Sequence, residues 1–535
     1  MRKLFFFIFI SLFYVSSVWS QAKPFLRNSI TTSLMNSGGD GVPLWLHGRQ
    51  QGRWDQMDKT QWVNIVHSSF SYMPTSDWNF NASVELDYQP LNSEIYFHTA
   101  QISTQYKFLS LRVGRHLFDP LFGEVNLGSG SYLFGDNYRP LFRVTAGIPN
   151  YTPLPLFLKR IEVRGEISHA KLDDHWEKWS HNNELLHEKY AYLRVNLGRA
   201  KPYVGISHSA IMGGYYSNGS SIPIDFWKSF MAKGSEKLGG GEATNAAGAH
   251  MGLYDVGAYL TTPNKGDFHF YYQAPFSDSS GMWFLIRNID QVFGVNWTLP
   301  KASFLNNITL EWISTSHQSG NGMPDALLTF DEGGSELIVS FQLDDPDYRK
   351  NLMTRLGVDN PGSYSKNEIS EYLKEHFNNG NPFGGRDGYM SNGTYPSGWT
   401  YYGDVMGSPL NLTQHQLRHK NAELGTYTRN LIVNDRYKAI HFGVSGRITP
   451  FLEWNFKATF SKNYGSYFQE YPGRYTWSRT PNYFFDEGLR QTYLMIGTKW
   501  NPEELTSLVI NTELGLDIGE IFNSYGAKIG VKYAF

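Results

Sequence analysis

Residues Trp78 to Tyr88 read Trp-Asn-Phe-Asn-Ala-Ser-Val-Glu-Leu-Asp-Tyr, so apolar and polar side chains alternate over eleven residues without a break. Successive side chains of a β-strand point to opposite faces. Trp78, Phe80, Ala82, Val84, Leu86 and Tyr88 therefore share one face, and Asn79, Asn81, Ser83, Glu85 and Asp87 share the other. A tilted strand crosses a bilayer in about 9–11 residues, which is the length of this segment. The same pattern returns from Leu452 to Phe460 and from Leu508 to Leu516. Shorter versions occur at Leu109 to Val113, Ile161 to Ile167, Leu193 to Leu197, Phe268 to Tyr272, Phe293 to Trp297, Ile308 to Trp312 and Ile440 to Val444.

The polar faces separate two architectures. A soluble sandwich alternates too, but needs only about seven to nine strands. Here strands run from near residue 60 to the last residue, with Gly, Pro, Asn and Asp turns between them. Glu162, Arg164 and Glu166 suit a polar lumen, and Ile161, Val163 and Ile167 on the opposite face suit lipid. So many strands in an open sheet would leave unpaired edges, which closure removes. The expected fold is an all-β transmembrane antiparallel barrel. Composition supports it. Mean hydropathy is −0.40 while aromatic residues make up 16%, as when only alternate residues face lipid and aromatic girdles mark both interfaces.

Beyond the first twenty residues no run approaches the ~18 apolar residues of a spanning helix, which excludes an α-helical membrane protein. The net charge of −2 gives no reason to expect a nucleic-acid partner. There is no cysteine, hence no disulfide or thiolate metal site. Arg2 and Lys3, the apolar run from Leu4 to Val18 and a cut before Gln21 have the layout of a secretory signal peptide over residues 1–20. At the other end Ile529, Val531, Tyr533 and Phe535 share a face. This final strand resembles the insertion signal read by the outer-membrane barrel-assembly machinery. The expected location is the outer membrane.

Two segments have helical spacing: Pro223 to Lys237, and Ser365 to Phe377, which opens with the capping box Ser365-x-x-Glu368. Both are expected to plug or cap the barrel, and residues 330–421 otherwise read as long loops. Enzyme motifs are poor. Gly443-Val-Ser-Gly446 fails as a nucleophile elbow because Arg447 follows. The histidines, such as His169, His208, His250 and His441, are dispersed without zinc spacing. Asp344-Asp345-Pro-Asp347 reads as a solvated turn before a calcium site. No enzyme, cofactor or metal site is expected.

Several blocks resemble the capsule assembly protein Wzi family, in the form found in Bacteroidetes-type outer membranes. They are Pro43 to Arg53, Gly114-Arg115, Leu127 to Ser131, Asn137 to Pro140, Asn182 to Lys189 with Tyr192 to Arg194, Asn245 to Asp255, and Gly385 to Tyr389 followed by Ser397 to Gly403 and Gly407 to Pro409. The motifs are short, and their order carries the resemblance; residues 331–377 fall outside it. It implies a barrel of about eighteen strands, helices at the periplasmic end, and a lectin-like protein that anchors capsular or other surface polysaccharide. Sugar rings stack on aromatic faces, and their hydroxyls pair with polar groups. Trp399, Tyr401 and Tyr402 with Arg386 and Asp387 form one candidate set, and Tyr215 and Tyr216 another. Girdle or plug packing is the competing role for these aromatics. A channel is the alternative function, since a barrel of this size can enclose a pore.

Overall fold

The computed structural model describes residues 24–535 except 119–126, 156–158, 175, 177–179, 217, 236, 239–245, 278–287, 301–303, 319–325, 330–334, 339–341, 378–385, 421–423, 425–429 and 472–478. The proposed signal peptide lies outside the described residues. Eighteen strands form one sheet. They are β1 (Phe25–Gly39), β2 (Thr60–Thr75), β3 (Trp78–Gln89), β4 (Glu94–Tyr106), β5 (Leu109–His116), β6 (Leu141–Pro153), β7 (Ile161–Leu172), β8 (Glu184–Val195), β9 (Ala200–Gly213), β10 (Ala249–Thr262), β11 (Gly266–Phe276), β12 (Gln291–Thr298), β13 (Asn307–Ser314), β14 (Tyr437–Thr449), β15 (Leu452–Asn463), β16 (Leu489–Trp500), β17 (Leu508–Gly519) and β18 (Ser524–Ala534). Each pairs antiparallel with the next. β18 pairs with β1 from Ser29 opposite Ala534 to Gly39 opposite Ser524, which closes the barrel.

The alternation sorts as expected. Ile30, Leu34, Ile102, Leu310, Ile440, Phe460, Ile496, Leu514 and Ile529 are exposed on the outer wall. Such a belt is soluble only in lipid. Outward aromatic pairs gather at the short-turn end: Trp78 with Tyr106, Phe268 with Trp297, and Phe304 with Trp454, at 4.7, 5.4 and 5.0 Å between ring centroids. Inside, charges are paired. Arg194 bonds Glu162 at 2.6 Å, Arg112 bonds Glu166 at 3.0 Å and Arg53 bonds Asp87 at 2.7 Å. A carboxylate in a crowded lumen needs such a partner to remain charged.

The two ends of the barrel differ. Connections such as Thr75 to Trp78, Tyr106 to Leu109 and Thr449 to Leu452 are tight turns, and β1 starts and β18 finishes at that end. The long connections, residues 40–59, 117–140, 214–248 and 315–436 among them, all leave the other end. Outer-membrane barrels have short periplasmic turns and long extracellular loops, so the long-loop end faces outward. The α-helices α1 (Leu44–His47), α2 (Phe226–Phe230), α3 (Pro346–Arg355), α4 (Lys366–Phe377) and α5 (Tyr467–Glu470) all belong to these long connections. This corrects the expectation of periplasmic helices: among the described residues every α-helix lies in a connection of the outward end, and the inward connections span at most eight residues, 299–306, which serve to return the chain to the next strand.

The long connections fold back to form a plug. Trp45, Leu46, Tyr132, Tyr389 and Ile432 are buried in one continuous core. Wall groups hold it. The Leu44 N–H donates to Asp517 at 2.9 Å, the Ser129 N–H to Glu311 at 2.7 Å, and Lys528 Nζ to the Leu46 carbonyl at 3.2 Å. The segment Ser365 to Phe377 is not part of that core. Ile369 and Leu373 pack with Ile338, Leu343, Leu352 and Met353 into a separate lobe. Its capping box forms as read, with the Ser365 N–H donating to Glu368 at 2.7 Å. Asp345 caps α3 by accepting the Asp347 N–H at 2.9 Å, a local role for the acidic turn. The helix expected from Pro223 to Lys237 is shorter, Phe226–Phe230, because Ala232 takes a positive φ of 51° and ends it.

Candidate functional site

At the outward end the plug leaves a cavity of about 290 Å³, lined by Trp54, Trp176, Tyr402, Arg139, Glu94 and Asp404 among others. Small-ligand sites begin at roughly this size, about 300 Å³. Four separate connections and the first residue of β4 supply these side chains, and each is held locally. Thr400–Tyr401 and Asp404–Val405 form a two-stranded ribbon. Tyr402 and Gly403 form its tip with φ of 51° and 79°, the pair of positive values that a two-residue hairpin turn prefers. The Tyr402 N–H donates to Asp174 at 2.9 Å, and Asp174 also accepts the His181 N–H at 2.8 Å. This ties the tip to the connection that carries Trp176. Gly403 leaves room for that indole, since a Cβ there would lie 2.5 Å from the Trp176 ring.

Arg139 is the centre of the polar side. Its guanidinium lies 4.3 Å from the Tyr96 ring centroid and 5.0 Å from that of Tyr402. It donates to Glu94 at 3.0 Å and to the Gly52 carbonyl at 3.3 Å. Asp404 is buried, accepts from Gln56 Nε2 at 2.5 Å, and has its carboxyl pushed by burial up to about 8. Trp176 packs edge-on against His415 at 5.0 Å. The result is a half-open cup of aromatic faces with one guanidinium and several carboxyl groups on its floor. Such a cup can stack a ring with polar substituents and bond its hydroxyls. Among the described residues no group of three or more His, Cys, Asp or Glu is arranged to hold a metal.

The structure divides the residues singled out by sequence. Tyr402 lines the cavity. Its neighbours Trp399 and Tyr401 are only 3% exposed and belong to the plug core. Arg386 is buried with its guanidinium 3.7 Å over the Tyr471 ring, and the Asp387 N–H donates to the Gln318 carbonyl at 3.0 Å. Tyr215 and Tyr216 are exposed on the β9–β10 connection, braced by the Tyr216 N–H to the Ser220 carbonyl at 2.8 Å, and do not line the cavity. Ile529, Tyr533 and Phe535 are exposed on the outer wall and Val531 is half-buried.

Sequence reading missed Trp54, Trp176, Arg139, Glu94 and Asp404, which lie far apart in the chain. Only Tyr402-Gly403-Asp404, a hairpin signal, could have drawn notice. It also missed two histidine pairs. His169 and His187 contact at 3.0 Å between ring nitrogens, and His208 and His250 at 3.1 Å. Pairing of adjacent strands brings together residues that look dispersed.

No family profile matches this chain, and no curated protein does. Solved structures do. Wzi of Escherichia coli, described as an outer membrane protein involved in group 1 capsule assembly and a carbohydrate-binding β-barrel, matches at TM-score 0.53 and 12% identity over 95% of this chain and 84% of that one. OccK5 (OpdH) of Pseudomonas aeruginosa matches at TM-score 0.45 and 8% identity, over 97% and 99% of the two chains. OprD of the same organism matches at TM-score 0.44 and 8% identity, over 97% and 98%. The likeness to Wzi shows that the chain has an outer-membrane β-barrel fold.

Proposed function

We propose that this barrel sits in the outer membrane as a polysaccharide-binding protein of the Wzi kind, holding capsular or other surface glycan at its outward mouth during capsule assembly. The observation that carries this reading is the cup formed by Trp54, Trp176 and Tyr402 around Arg139, Glu94 and Asp404. Aromatic faces flanking a guanidinium and carboxyl groups match the amphipathic surface of a sugar ring, with apolar C–H faces and a polar rim. The resemblance of the ordered sequence blocks to the Wzi family supports the same reading, as does the plug. Trp45 and Tyr389 lie in a buried core bonded to the wall through Asp517 and Glu311, which opposes a conducting pore.

The test is binding of oligosaccharides prepared from the host's surface polysaccharide to purified protein, with Y402A and W176A as variants. Loss of one stacking ring is expected to weaken binding about fivefold to tenfold, on the order of 1 kcal/mol. In cells, deletion is expected to leave polysaccharide synthesis intact and release product into the medium. Full retention on the cell, together with variants that bind as well as wild type, would refute the proposal. Large steady single-channel openings would favour the channel.

A further inference from the structure

The inward end carries a second concentration of chemistry. Three adjacent turns there are basic: β6–β7 has Lys159 and Arg160, β8–β9 has Arg199 and then Lys201, and β10–β11 has Lys265, against Asp267 and Glu162, the latter paired with Arg194. Elsewhere on the same rim charges are balanced: Asp77 is paired with Lys107 at 3.7 Å, and Glu453 with Arg447 at 3.0 Å and Lys499 at 3.1 Å. In a chain of net charge −2 this sector is a local inversion.

The lumen wall above the basic turns continues the theme. The Arg164 guanidinium lies 4.9 Å from the Tyr151 ring centroid and 4.8 Å from that of Tyr192, and Arg194 lies 3.8 Å from Tyr151. Tyr203 packs on Tyr259 at 5.5 Å, and Tyr259 stacks on His269 at 4.2 Å. Tyr151, Arg164, Arg194 and Tyr259 are half-buried. The nearby acids are engaged within the wall. Glu162 accepts from Arg194 at 2.6 Å, Glu166 from Tyr190 at 2.8 Å, and Asp255 from Tyr192 and Tyr203 at 3.2 and 3.3 Å. Alternation turns Arg164 toward the lumen, while Ile167 and Leu193 are exposed on the lipid face.

We infer that the wall formed by Tyr151, Arg164, Arg194 and Tyr259 is a second saccharide site, one that takes an acidic, carboxylate-bearing glycan from the periplasmic side. Arg194 holds Glu162 through Nε, and the other N–H groups of a guanidinium can pair with a ligand carboxylate through charge-assisted bonds; the tyrosine ring edges and hydroxyls can meet a sugar, and the basic turns draw a polyanion toward the opening. The basic turns alone would also suit anionic lipid headgroups. The lumen-facing arginines and rings favour the saccharide.

The test uses the full-length protein in detergent micelles, with hexagalacturonate as probe and maltohexaose as its neutral counterpart. Expected results are salt-sensitive binding of hexagalacturonate, at least tenfold weaker binding to R164Q and Y259A, and partial rescue by R164K. Heat-modifiable gel mobility reports that each variant retains its barrel. Equal binding by wild type, R164Q and Y259A would overturn the inference. So would loss of binding in Y402A alone, which would assign the acid to the mouth. If the triple variant K159Q/R160Q/R199Q loses binding to phosphatidylglycerol vesicles while R164Q binds hexagalacturonate normally, the sector is a lipid contact and the inference fails. Because the mouth reading is tested through Tyr402 and this one through Arg164, either can fail alone.

Discussion

Raising the pH is expected to loosen the outward mouth through Asp404. Burial pushes this carboxyl from 3.8 to about 8, so the folded mouth binds a proton that the opened segment releases. For an acid whose value is raised on folding, the contribution is most favourable at low pH, declines as pH climbs above 3.8, and levels off above about 8. One pH unit within that window costs about 1.4 kcal/mol. Between pH 5.5 and 7.5 the ribbon that carries Asp404 should lose on the order of 3 kcal/mol of local stability, or roughly 100-fold in its opening equilibrium. Hydrogen exchange of residues 400–405 and 52–56, corrected for intrinsic rates, measures this directly. D404N keeps an acceptor for Gln56 Nε2, which donates to Asp404 at 2.5 Å in the native ribbon, and has no proton to lose. Its protection should be flat over the same range. Protection in D404N that falls in parallel with wild type would refute the assignment to Asp404.

Trp45 is 1% exposed and packs 5.1 Å from the His441 ring. W45A should destabilise the plug by about 3–5 kcal/mol, seen as an earlier denaturant transition in micelles. G403A forces a Cβ to within 2.5 Å of Trp176 at a φ of 79°; it should cost about 1–2 kcal/mol and reduce saccharide binding in isothermal titration while leaving the barrel folded. Replacing residues 335–377 with a short Gly-Ser linker should leave heat-modifiable mobility unchanged, because that lobe packs on its own core of Leu352, Met353, Ile369 and Leu373. F535A together with Y533A should lower the yield of outer-membrane barrel on fractionation, as expected if the last strand carries the insertion signal.

The wall was legible because it is written locally. Period-two alternation at Trp78 to Tyr88 and Leu508 to Leu516 is set by strand geometry alone, and both segments fall within strands, β3 and β17. The capping box at Ser365 and Glu368 was legible for the same reason. The mouth was not. Arg139 meets Tyr96 and Tyr402 across the lumen, and no spacing rule joins residues 43 and 263 positions apart. Aromatic content also could not separate roles: Trp399 and Tyr402 are three residues apart, yet one packs in the plug core and the other lines a cavity. The helix from Pro223 was over-read because periodicity carries no information about the positive φ at Ala232.

The bonds that hold α1 join the two ends of the chain. Leu44 donates to Asp517 across 473 positions, and Lys528 reaches the Leu46 carbonyl across 482. The first segment of the plug is made almost immediately after β1, yet its partners are on β17 and β18, among the last strands. Contacts this distant in sequence carry the loop-closure entropy of nearly the whole chain. The strands that shut the wall against β1 and beside it, β18 and β17, are thus the ones that hold α1, so barrel closure and the seat of this part of the plug share the same strands.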